Sequence, residues 1–198
     1  MMKAPSRRPW FAAARIFAFA ALAPAVMLAV VPACDTPDPT EVTEIDAPSY
    51  NEFVDLNPTA TTAGVSRVLE LRCGTLDCHG QVGRALRIYG QYGLRFVEGD
   101  ADNQPGSGAT TPTEYEANYQ SVIGLQPEYT TLVYEGALPP EAMLLIRKPL
   151  QLERHKGGAV FVSGDDAYNC ITSWLESNGS DAGSGGTDYA ACYRASQL

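Results

Sequence analysis

At 198 residues and 21.2 kDa, the chain is long enough for one domain of ordinary size, with some chain to spare. The first 33 residues hold four of its 14 Lys and Arg and none of its 23 Asp and Glu, so ten bases face 23 acids over the remaining 165, a formal −13. Such a surface repels phosphate backbones and anionic lipid, which excludes nucleic-acid binding and leaves only hydrophobic or covalent routes to a membrane, while 18 Gly, 14 Pro and 19% charged residues exclude a coiled coil or long helical bundle.

Residues 1–15 are basic and residues 16–31 apolar, interrupted by Pro24. A membrane-spanning helix needs about 20 apolar residues in a row, so a cleavable signal fits the segment better. Val31-Pro32-Ala33-Cys34 follows, and the chain turns polar at Asp35. This junction resembles a bacterial lipoprotein signal, in which an aliphatic residue three before and a small residue one before the cysteine guide lipidation and cleavage. The resemblance implies a signal over 1–33, a lipid on Cys34 and a membrane-anchored mature chain outside the cytoplasm. Cleavage after Ala33 without lipid, or an uncleaved anchor, leads to the same side of the membrane. Cysteines there can pair, and the four that remain, Cys73, Cys78, Cys170 and Cys192, allow three pairings.

Residues 34–61 are acidic and Pro-rich without an apolar period, which predicts a disordered tether. Val65, Val68, Leu69 and Arg72 at helical spacing predict a helix over 63–73, capped by Thr61 or Thr62. Residues 84–96 alternate weakly and carry two glycines, as a short hairpin or a wrapped loop would, and residues 99–110 read as a loop. Thr111-Pro112-Thr113-Glu114 is a capping box with Pro at the first helical position, opening a helix to Ile123 with Gly124 as its stop. A turn at Pro139-Pro140 precedes the apolar run 142–146. The charges of Asp165-Asp166 suit the start of a last helix, whose stripe is Tyr168, Ile171, Trp174 and Leu175 and which ends at Asn178-Gly179. The expected organisation is one compact, mainly α, loop-rich domain over 62–178, then a Gly/Ser linker and a Cys-containing tail over 179–198.

The chemistry-bearing cluster is Cys73-Gly-Thr-Leu-Asp-Cys78-His79. Two cysteines followed at once by a histidine, in an exported chain, form a c-type haem pattern: two thiols add across the haem vinyl groups and the adjacent imidazole binds iron. The spacer here has four residues where two is usual. A Cys73–Cys78 disulfide with His79 an ordinary loop residue is the second reading. Zinc on Cys73, Cys78, His79 and His155 is the third, lacking a second knuckle. With haem, a distal ligand comes from the only other His or from the only Met beyond the signal, so His155 is preferred, Met143 is the alternative and an open position remains. Two glycines after Lys156 would let backbone approach a flat cofactor. Arg84, Arg87 and Arg95 are candidates for pairing with its propionates. Cys170 and Cys192, separated by a flexible linker, read as a structural disulfide worth roughly 3 kcal/mol.

Leu144-Leu145 with Lys148-Pro149, then His155 with Gly157-Gly158, then Tyr168 with Trp174-Leu175, are similar to segments of bacterial cytochrome c-like domains. The resemblance covers about 63–178. It implies terminal helices packed around a covalent haem c, Cys73 and Cys78 as attachment points, His79 as proximal ligand, and single-electron transfer with redox partner proteins rather than catalysis. A cofactor-free, disulfide-stapled surface lipoprotein serving as a binding module is the alternative.

Overall fold

The computed structural model describes residues 44–96, 106–178 and 186–197; the signal, Cys34, the first ten residues of the expected tether and most of the Gly/Ser linker lie outside them. The described chain is mainly helical, as its composition and periodicity predicted. Its helices are α1 (Tyr50–Val54), α2 (Val65–Arg72), α3 (Pro112–Ile123), α4 (Pro127–Tyr134), α5 (Leu144–Arg147), α6 (Asp166–Leu175) and α7 (Tyr189–Ala195), with a 3-10 turn at Pro140–Ala142. A single bridge between Tyr89 and Leu94 is the only β-pairing among the described residues, so residues 84–96 form a wrapped loop and not a hairpin.

Local chemistry sets the helix starts. Thr111 accepts from the Glu114 amide and the Glu114 carboxylate accepts from the Thr111 amide, completing the predicted capping box ahead of Pro112. Asp165 caps α6 through the Tyr168 amide at 2.8 Å. The cap of α2 differs from expectation: Gly64 occupies it without a side-chain bond, and Thr62 instead accepts from the Thr59 amide. The reason is tertiary, because a Cβ on Gly64 would lie 2.4 Å from the backbone of Val54 at the end of α1.

The described part of the expected tether is not a free coil. Residues 50–54 form α1, whose Phe53 is fully buried, with its ring 5.1 Å from that of Trp174 and 5.7 Å from that of Tyr119. Trp174 in turn donates its indole N–H to the Ser49 carbonyl. One aromatic residue thus brings an acidic, Pro-rich segment into the core, since burying a ring of that size offsets the ordering of a short helix. Trp174, Leu69, Ile88, Met143, Ile146, Ile171 and Leu175 complete the centre of that core.

The tail is also structured. Asp188 caps α7 through the Ala191 amide, and α7 packs on α6 and α2. The Cys170–Cys192 disulfide expected from sequence joins α6 to α7, with Cα atoms 4.7 Å apart.

Candidate cofactor site

α2 runs directly into Cys73, and the four-residue spacer folds into a closed turn. The Gly74 amide donates to Leu69 O, the Cys78 amide to Thr75 O, and the His79 amide back to Cys73 O at 2.9 Å. The extra two residues are therefore taken up in a turn that returns Cys78 and His79 to the end of α2. Three glycines allow it: a Cβ on Gly80 or on Gly93 would sit 1.9 Å from Gly74 O, a distance no side chain can occupy.

Cys73 and Cys78 are both free thiols, so the Cys73–Cys78 disulfide reading is not what the structure shows. Burial, reinforced by the neighbouring Cys78 and partly opposed by Arg72, pushes the Cys73 thiol up to about 12. Among the described residues no group of three or more His, Cys, Asp or Glu is placed to hold a metal ion.

His79 and His155, 76 positions apart in sequence, face one another. Their ring centroids are 6.2 Å apart and their planes differ by 15°. Each Nδ1 lies against a backbone carbonyl, His79 at 2.9 Å from Leu86 O and His155 at 2.8 Å from Gly158 O. A carbonyl only accepts, so Nδ1 carries the proton on both rings and Nε2 keeps its lone pair. Burial holds His79 below its ordinary pKa, against the Leu86 bond but with help from the nearby His155 and Arg84. Gly158 has φ of 76°, the left-handed turn that aims its carbonyl back at His155.

The two rings line a cleft of about 700 Å³ together with Cys73, Cys78, Arg72, Arg84, Lys148, Arg154 and Lys156. A smaller, mainly apolar chamber of about 170 Å³ shares Cys73, His79, Arg84, Lys148 and His155 with it, and is floored by Leu69, Leu86, Leu125, Leu144, Leu145 and Phe161. The whole is one recess with a greasy floor, a cationic mouth and two imidazoles across it.

The other candidates are distributed differently. Met143 is fully buried in the core and lines neither chamber. Of the three arginines considered as propionate partners, only Arg84 reaches the cleft. Arg87 donates to the Tyr89 hydroxyl, and Arg95 is committed to a buried ion pair with Glu114 at 2.7 Å. Arg72, Arg154 and Lys156 were not singled out from sequence. They are scattered over 85 positions, and no local pattern gathers them.

No family model matches the chain, and no curated protein and no solved structure matches it.

Proposed function

We propose that the chain is an exported, membrane-anchored, monohaem c-type cytochrome-like protein that carries single electrons. The observation that carries this reading is the His79–His155 pair. The two rings line the same recess with their centroids 6.2 Å apart, close enough for both to serve one metal ion. Both Nε2 atoms are left available by the carbonyl bonds at Nδ1. Free thiols at Cys73 and Cys78 beside His79 are what covalent attachment requires.

Haem would supply a one-electron iron couple. Cys73 and Cys78 would hold it as thioethers, His79 and His155 would ligate its iron, and the Leu and Phe floor would help exclude water. Histidine in place of methionine as the second ligand favours the oxidised state and a lower potential. A lipid on Cys34 would keep the domain at a membrane surface, and its redox partner would be another protein outside the cytoplasm.

The test is the intact mass of the chain made in a host that attaches haem, read under denaturing, non-reducing conditions. One haem mass retained through denaturation is expected in the wild type and lost in Cys78→Ala. A wild-type polypeptide bearing only disulfides would overturn the reading in favour of a cofactor-free binding module.

A further inference from the structure

The mouth of the cleft gathers charge against the trend of the chain. Beyond residue 33 there are ten Lys and Arg against 23 acids, and five of those ten (Arg72, Arg84, Lys148, Arg154 and Lys156) line this one recess, whose lining includes a single acid, Asp77. In an acidic protein such a concentration is a local positive field with low-dielectric walls, the arrangement that draws in an anion.

The five cations differ in how far they are already engaged. Arg72 donates to Ala195 O and Val160 O, and Arg84 donates to Cys78 O. Lys148 pairs with Glu153 at 3.3 Å. Among the described residues, the side chains of Arg154 and Lys156 have no hydrogen-bond or ion-pair partner, although they flank His155 on either side and both line the mouth. Two uncommitted cations thus stand at the mouth of a recess whose floor is mainly Leu and Phe, with Arg84, Lys148 and the two histidines at its border.

We propose that Arg154 and Lys156 form a carboxylate-holding subsite, which takes a flat amphipathic dianion with its two carboxylates at the mouth and its apolar body on the floor. The proposal rests on the haem reading and deepens it. It orients the cofactor with its propionates toward Arg154 and Lys156, and replaces Arg87 and Arg95 as propionate partners with residues on the His155 side. Guanidinium and ammonium donors to carboxylate are charge-assisted hydrogen bonds, and each contributes more than a neutral one.

The test uses the full chain made without haem-attachment machinery, so that binding is reversible. Metal-free protoporphyrin and its dimethyl ester, equal in ring but not in charge, are titrated against wild type and the double variant Arg154→Gln, Lys156→Gln. Both substituted side chains are exposed and unbonded, so the variant keeps the fold. The diacid should bind wild type at least about tenfold more tightly than the ester, and the variant should lose that preference. Equal affinity for acid and ester, or a preference that survives the double substitution, overturns the subsite. Haem titrated in parallel separates the two ideas. If haem binds with the absorption of two histidine ligands while the acid preference is absent, only the subsite fails; if neither haem nor porphyrin binds, both readings fail.

Discussion

Arg72 Nε donates to the Ala195 carbonyl at 2.9 Å, joining the last turn of α2 to the last turn of α7 across 123 residues of chain. A second, longer contact runs from its Nη1 to Val160 O, two residues beyond the glycine that holds His155. One guanidinium therefore stands between the Cys73 arm, the His155 arm and the end of the fold. Replacing Arg72 with Met should lower stability by about 1–3 kcal/mol, since it leaves carbonyls without their donor. Lys, with no planar fork, should recover little of that loss. Denaturant midpoints of the two variants check both statements.

In the haem-loaded protein, His155→Ala should convert a six-coordinate, low-spin absorption spectrum into a high-spin one. Met143→Leu should leave the spectrum unchanged and cost less than about 1.5 kcal/mol, as a volume-conserving change in a fully buried position. The reverse pattern would move the distal ligand to Met143.

Phe53→Ala should cost about 3–5 kcal/mol. The ring is fully buried and meets both Trp174 and Tyr119 edge-on or tilted. A loss under 1 kcal/mol in urea unfolding would mean that α1 contributes little to the cooperative unit.

Much of this was legible in the sequence and some was not, for identifiable reasons. The capping box at Thr111 and Glu114, the Asp165 start of α6 and its Trp174 stripe are local signals and appear as read. The Cys170–Cys192 bridge is there as well. α1 was missed because a five-residue helix holds only one buried ring, too little for a period to show. α4 carried its signal in Pro127 at the first position but has only Thr130 and Val133 buried. At the site, Cys73, Cys78 and His79 announced themselves by adjacency, and His155 by its rarity. Arg154 and Lys156 carry no distinguishing signal in the sequence, and only the fold sets them beside a cleft.

Two neighbouring carboxyls should pull the stability–pH curve in opposite directions. Burial alone would raise the pKa of Glu114, but Arg95, the Thr111 and Phe96 amides and the guanidinium charge outweigh it and hold it below the ordinary value. The unfolded chain then takes up protons first as pH falls, so this contribution is complete above about pH 4.3–5 and is lost as pH drops through the folded pKa. Glu70 is raised, chiefly by burial, against hydrogen bonds from Thr110 and Ser66. Its contribution is complete in acid and declines as pH rises from the unfolded toward the raised folded value. Glu114→Gln should cost about 3 kcal/mol at neutral pH and less in acid. Glu70→Gln should flatten the decline on the upper side. Unfolding curves measured across pH 3–8, about the range in which the two groups and their unfolded counterparts titrate, separate them.

Gly80→Ala should displace the His79 arm, because its Cβ would fall 1.9 Å from Gly74 O, a backbone atom that cannot swing aside. Covalent haem yield should drop sharply while far-ultraviolet circular dichroism stays near wild type. Gly83→Ala is the contrasting variant. With φ of 81° and open space around its Cβ, Gly83 meets only the local cost of an unfavourable backbone angle, about 1 kcal/mol.

The bond between Cys170 and Cys192 gives the end of the chain a second, non-peptide attachment to the rest. A protease that cut the backbone anywhere between α6 and α7 would therefore not detach the terminal helix. The nicked molecule would run as a single species without reductant and as two pieces with it. Ala195 would still be held where Arg72 can reach it, so a cleaved chain could keep the mouth of the cleft in working order until the sulfur bridge was reduced.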